Sequence, residues 1–367
     1  MRIDFYKLKP FFFVAIFSLA GSLTAQYSYS LNYLSGRMLS HSVYTKDLEA
    51  SVNGFQLDVL WKLRKESDDL SKKSKGLSFV YQIGFSTVAL DMGQPSTGFQ
   101  LGSGLYLGGQ LSNKKDISFN WGFCHGLSYL SQKYDTLQNP INYAIGSHLN
   151  YFAQLKAGIE YTLNSNLALN LGFYLTHASN GNMRKPNVGL NAFQWGLGLM
   201  YCPNELFNTE KTSHYLHKKR FRTTPYSIGM KIGVREHTLE YPETFTSFIC
   251  DFQYRIQKNA YHVWNLGFDL FNDPNYKFNK FGKSTGISED QQFELGIFGG
   301  HQFQFGRVGL RTDLGIYVLR PVLSDKPFFY NAIGLEYRLS QDWVLRSRLK
   351  AHLNVADYME FGLSRLF

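Results

Sequence analysis

Residues 166–180 read NLALNLGFYLTHASN, and their alternation decides the fold. Odd positions carry Leu167, Leu169, Leu171, Phe173 and Leu175, then His177 and Ser179. Even positions carry Ala168, Asn170, Gly172, Tyr174, Thr176, Ala178 and Asn180. One face is apolar and the other small or polar, which is the period-two signature of a strand. The run before it, 149–163, obeys the same rule, with Leu149, Tyr151, Leu155, Ile159 and Tyr161 opposed to Asn150, Gln154, Lys156 and Glu160.

Soluble sandwiches also alternate, so the number and length of such runs matter. Segments near 27–39, 51–64, 76–90, 97–113, 116–130, 149–163, 166–180 and 190–202 repeat the pattern. Several exceed the roughly 5–6 residues usual in globular sheets and suit the ~9–11 that cross a bilayer at a tilt. Charges recur on the polar face, as with Asp58 and Lys62. They are tolerable inside a barrel and costly against lipid, so the apolar face points outward. With the first strand rising from the periplasm, the short joins 112–116 and 164–166 are periplasmic turns and the longer 131–148 and 181–190 are external loops. The stretch 65–76 is longer than a tidy periplasmic turn.

The pattern restarts after a basic linker, 204–225, that contains TEKTSHYLHKKRFRTT. Candidate strands lie near 226–239, 245–257, 262–273, 290–305, 308–321, 328–340, 343–355 and 357–367. The last ends DYMEFGLSRLF, with Met359, Phe361, Leu363 and the terminal Phe367 on one face, and resembles the strand by which outer-membrane barrels are recognised for insertion. The expected fold is therefore all-β, a transmembrane antiparallel β-barrel of about sixteen strands in two halves, 26–203 and a degenerate repeat over 226–367. Sixteen strands closing once would leave a wet channel, whereas eight give an interior that side chains fill. The inward line of Arg311, Asp313, Glu336, Arg338, Arg346, Arg348, Lys350 and Glu360 fits either a pore wall or a salt-bridge network. The long linker favours two barrels.

Residues 1–25 read as a signal peptide, with Lys7 and Lys9 before the apolar FFFVAIFSLAG and Ala25 at the cleavage position. Beyond it no apolar run approaches the ~20 residues of a transmembrane helix, so only a closed barrel would satisfy the backbone within a membrane. The net charge is +10, from 38 Lys and Arg against 28 Asp and Glu. An exported chain seldom meets nucleic acid, so anionic lipid or lipopolysaccharide is the expected attraction, with simple solubility as the alternative. Cys124, Cys202 and Cys250 match no zinc pattern and read as structural thiols, with room for one bridge at most.

The stretch 177–191, HASNGNMRKPNVGLN, carries the chemistry. Residues two apart on a strand share a face at roughly 6–7 Å, so the side chains of His177 and Ser179 can meet. A serine hydroxyl needs a base, and neutral imidazole suits that task. Parity puts both on the lipid-facing side near the outer leaflet, where an ester carried by a membrane lipid could reach them.

These residues resemble the active-site stretch of the PagL family, outer-membrane lipid A 3-O-deacylases often described as acyloxyacyl hydrolases. The likeness covers 26–202, and its specific part is the His-x-Ser-Asn motif followed by Pro186, Asn187 and Gly189. The resemblance implies that His177 is the base and Ser179 the nucleophile, that Asn180 is the family's asparagine, and that Asn187 steadies the oxyanion. A family member has a glutamate twelve positions after the serine, where this chain has Asn191, which can orient an imidazole but brings no full charge. The resemblance also puts Arg184 and Lys185 where lipid A phosphates would lie, although a solvated loop tip is the plainer reading. It implies an integral outer-membrane esterase with lipid A or a related outer-leaflet lipid as partner and no metal or cofactor. The competing class is a non-catalytic porin or structural barrel. AHLNVAD at 351–357 echoes the motif, but parity places His352 with Arg346, Arg348 and Lys350 on the inner face, and no serine follows two residues later.

Overall fold

In a computed structural model of the chain, the described residues are 26–63, 77–113, 116–203, 225–259, 261–321, 326–353 and 355–367. The expected signal peptide, the long 65–76 join and nearly all of the basic linker lie outside them. Eight strands close the first barrel: β1 (Gln26–Leu39), β2 (Ser51–Leu63), β3 (Leu77–Asp91), β4 (Phe99–Asn113), β5 (Ile117–Leu130), β6 (Leu149–Thr162), β7 (Leu167–Ser179) and β8 (Leu190–Tyr201). A second set closes independently: β9 (Tyr226–Glu236), β10 (Thr244–Gln257), β11 (His262–Asn272), β12 (Phe293–Phe305), β13 (Val308–Leu319), β14 (Phe329–Arg338), β15 (Trp343–His352) and β16 (Val355–Leu366). The architecture is two barrels of eight, and the single sixteen-strand ring is excluded.

Each barrel keeps the expected polarity. In β7, Leu171 and Phe173 stay 52% and 56% exposed while Asn170, Tyr174 and Thr176 are buried inside. A small barrel must fill its interior with side chains, and a charge buried there must be paired. In the first barrel Lys156 Nζ lies 3.0 Å from Asp58 Oδ2, which also accepts from Ser30, while Ser86 and Gln56 donate to Asp58 Oδ1. The second barrel holds a larger network. Lys231 contacts Asp251, Asp269 and Glu360, Arg348 contacts Asp269, Asp313 and Glu360, and Arg346 joins Asp251 to Glu336. Mixed charge on the inner face therefore makes a salt-bridge core, and of the two sequence readings the pore wall is not what forms. His352 points to the same interior, with Nε2 2.9 Å from the Tyr317 hydroxyl.

The loops 40–50, 92–98, 131–148 and 180–189 share one end of the first barrel, and β7 reaches that end at Ser179. The barrels pack side by side. Near the opposite end the Tyr81 ring stacks on Tyr261 at 5.2 Å and meets Phe305 edge-on at 6.1 Å. Near the loop end Asn182 Nδ2 donates to the carbonyls of Ala356 and Asp357, and Glu236 N donates to Asn182 O at 2.9 Å. This seam buries residues whose parity points outward: His125 and Tyr151 are each 5% exposed and Ser179 3%. His125 Nδ1 hydrogen-bonds the Tyr151 hydroxyl. The three cysteines are unbridged.

Candidate active site

Strand pairing assembles the site. His177 stands opposite Asn191 across β7 and β8, Ser179 stands opposite Tyr151 across β6 and β7, and Leu39 stands opposite Asn191 where β1 closes on β8. His177, Ser179 and Asn191 consequently share the outer face at the loop end. Ser179 Oγ lies 3.1 Å from His177 Nε2, and His177 Nδ1 lies 2.7 Å from Asn191 Oδ1. Both distances are within hydrogen-bond reach, the geometry that couples a nucleophile, a base and an orienting group.

A fourth member was invisible in the sequence. Asn191 Nδ2 is 2.8 Å from His41 Nδ1, and His41 Nε2 is 2.9 Å from the carbonyl of Val188. The carbonyl can only accept, so His41 carries its proton on Nε2 and presents a bare Nδ1 to the amide of Asn191. That turns Asn191 Oδ1 to His177, which must then donate from Nδ1 and keep Nε2 free to accept from Ser179. The hydrogen bonds run in one direction: Ser179 to His177 to Asn191 to His41 to Val188. His41 is 150 residues from Asn191 in the chain and meets it only because the barrel closes. No local spacing could have singled it out.

The loop after Ser179 folds back over this line. Gly181 and Asn182 adopt φ of 60° and 64°, and Gly189 adopts 90°. A Cβ on Gly181 would lie 2.7 Å from Met359 Cγ of the second barrel, and one on Gly189 would lie 2.9 Å from His177 Cε1. Both glycines are thus required by positive φ and by close approach together. Asn180 braces the loop, its amide nitrogen donating to Ser147 Oγ at 3.0 Å and to the Arg184 carbonyl at 2.8 Å. Asn187 Oδ1 accepts from the Asn180 backbone at 2.8 Å, while its Nδ2 makes only a long 3.4 Å contact with Asn182 Oδ1.

Arg184 and Lys185 lie on the same loop but differ in exposure. The Arg184 side chain is mostly exposed and reaches Glu236 Oε1 at 3.2 Å. Lys185 turns inward, with Nζ 2.9 Å from Asn182 Oδ1 and its backbone N–H donating to Glu236. Burial, then the Arg235 guanidinium, push the Lys185 ammonium below the usual lysine range despite Asp357 and Glu236. Among the described residues no group of three or more His, Cys, Asp or Glu is placed to hold a metal ion.

Residues 53–200 match the family model for lipid A 3-O-deacylase (PagL), and residues 224–365 match that for the acyloxyacyl hydrolase C-terminal domain (PagL_C). The chain belongs to the PagL family. It is accordingly an integral outer-membrane barrel protein and, as a PagL family member, a hydrolase acting on an ester. No curated protein matches the chain. Among solved structures it is similar to Neisserial surface protein A, with 13% identity and a TM-score of 0.31, covering 48% of this chain and 96% of that one. It is similar also to Ail of Yersinia pestis, with 12% identity and a TM-score of 0.24, over 48% of this chain and 98% of that one. A mutant Rh. blastica porin is 9% identical, with a TM-score of 0.20, over 94% of this chain and 99% of that one.

Proposed function

We propose that this PagL family member removes an ester-linked acyl chain from lipid A or a related outer-leaflet glycolipid by a serine mechanism. The observation that carries this reading is the directed hydrogen-bond line from Ser179 through His177 to Asn191 on the outer face of the first barrel. His177 Nε2 takes the Ser179 proton as Oγ attacks the ester carbonyl. The tetrahedral oxyanion collapses, His177 returns the proton to the sugar alkoxide, and the acyl chain remains on Oγ. Water, deprotonated by His177, then frees the fatty acid and restores the serine. Positioned base catalysis of this kind supplies about 10²–10⁴ in rate.

Asn191 holds the imidazole without the charge of a carboxylate, so the imidazolium gains orientation more than electrostatic support. Asn187 Nδ2, held only by its long contact to Asn182, is the side-chain donor available to the oxyanion; such donors are worth about 10²–10³. Asn180 keeps the loop in register. Arg184, exposed at the loop tip, would pair with a headgroup phosphate, whereas Lys185, turned inward onto Asn182, braces the loop.

The test is the mass of lipid A from membranes expressing the chain. Wild type should remove one acyl mass and Ser179→Ala none. If neither changes lipid A while the protein conducts ions across planar bilayers, the non-catalytic porin reading replaces this one.

A further inference from the structure

We infer that the second barrel supplies one wall of the groove that holds the scissile acyl chain, so that chain-length selection is shared between the two barrels. This rests on the esterase reading above. A cleft of about 290 Å³ runs along the seam, and Ser179, His177 and Asn191 line it. On the first barrel its wall continues through Leu155 and Leu175, which are 53% and 41% exposed and belong to the lipid-facing belt. The opposite wall is made by Ile333 of β14, Leu349 and Ala351 of β15, and Leu353 just beyond it. Apart from Asn331, the second-barrel lining is apolar.

Space in front of the serine comes from small side chains on both sides. Ala153 is the β6 partner of His177, and Ala351 is the β15 partner of Ala356, and all three alanines border the cleft. Larger residues there would close it. An ester whose carbonyl reaches Ser179 Oγ must send its acyl chain somewhere without water, and this seam offers apolar surface continuous with the serine on both sides. Leu353, 65% exposed, leaves the groove open at its edge, so a chain can enter sideways from the leaflet. The occupant is thus a linear acyl chain, held between two barrel walls where a single barrel would offer one.

The second barrel also reaches the catalytic loop, through Met359 against Gly181 and through Ala356, Asp357 and Glu236. Groove and loop positioning must therefore be separated in the test. Full-length protein in detergent micelles is given the butanoyl and dodecanoyl esters of one glycolipid headgroup, and the ratio of their kcat/KM values is read. Ala351→Trp should lower the dodecanoyl-to-butanoyl ratio by about tenfold or more, since a pocket discriminates at about 10–200-fold per added or missing methylene. An unchanged ratio overturns the inference. Should Ala351→Trp abolish both activities, Leu349→Ala decides: a gain for a terminally branched chain over the straight one supports the groove, and no change overturns it. A wild type inactive on both esters would instead remove the esterase reading and this inference with it, a result distinct from an active wild type indifferent to both substitutions.

Discussion

Asn191 stands between two histidines, its Oδ1 2.7 Å from Nδ1 of His177 and its Nδ2 2.8 Å from Nδ1 of His41. In serine proteases an aspartate-to-asparagine exchange at the orienting position costs about 10⁴ in kcat, because the amide imposes the wrong imidazole tautomer. Here His41 takes the amide's donor end and leaves only the acceptor for His177. His41→Ala removes about one hydrogen bond's worth of orientation, or ~1 kcal/mol. Turnover should fall about five- to tenfold with KM unchanged, and the barrel should fold normally because His41 is exposed. Asn191→Asp, whose carboxylate has no donor end to misplace, should restore turnover in the His41→Ala background. Steady-state kinetics of the four proteins check this, and absence of rescue would mean that His41 acts some other way.

Gly189 gives a second prediction. Its φ of 90° and the 2.9 Å approach of a virtual Cβ to His177 Cε1 leave no room for a side chain. Gly189→Ala should push the imidazole off the Ser179 line, and a displacement near 1 Å can cost about 10² in rate. The expected outcome is a protein that folds and inserts as wild type but turns over at least about tenfold more slowly. Gel mobility of the unheated protein reports the fold, and ester hydrolysis reports the defect.

Strand positions were legible because period-two alternation is a local property. The run 166–180 differs from β7 by one residue at each end, and 343–355 overshoots β15 because the chain turns at Leu353, with φ 58°, and enters β16 at Val355. The outward parity of His177 and Ser179 follows from the same alternation, and so does the inward placement of His352. What alternation could not carry is closure and contact between elements. His41 reaches Asn191 through the β1–β8 seam, and the surface expected to face only lipid is largely covered at Ser179 by another barrel. The choice between one ring and two likewise depends on which strand β9 pairs with, namely β16 and β10, and no residue pattern states that.

Glu236, at the end of β9, ties the 180–189 loop to the second barrel. Its carboxylate accepts from the Lys185 backbone and from Arg184, whose exposed side chain makes the ion pair itself worth little. The backbone hydrogen bond is the part that fixes the loop. Glu236→Gln retains an acceptor for Lys185 and should keep most of the activity. Glu236→Ala leaves that N–H unmatched and should cost about ten- to a hundredfold in kcat by loosening the loop over His177. Equal losses in both variants would show that the charge matters more than the acceptor.

Lys326 allows the acid stability of the second barrel to be predicted in sign. Its Nζ lies 2.9 Å from Asp273 Oδ2 and 3.3 Å from Asp357 Oδ2. Burial alone would raise the carboxyl pKa of Asp273, but Arg235 and Lys326 outweigh it and hold the group below its usual range. A carboxylate with a depressed folded pKa contributes stability that is complete above its unfolded value, about 3.9, and is lost as pH falls through the folded value. Lys326→Ala removes one of the two cations, so the folded pKa rises towards the unfolded one; the onset of the acid loss stays at the unfolded value and less pH-dependent stability is left to lose. Removing one partner of a buried pair also costs about 3–5 kcal/mol at neutral pH. The variant should therefore unfold at lower temperature at pH 7 and show an acid midpoint shifted upward, both readable from loss of β-sheet circular dichroism. An acid midpoint and melting temperature identical to wild type would mean that the Lys326 ion pairs contribute no net stability.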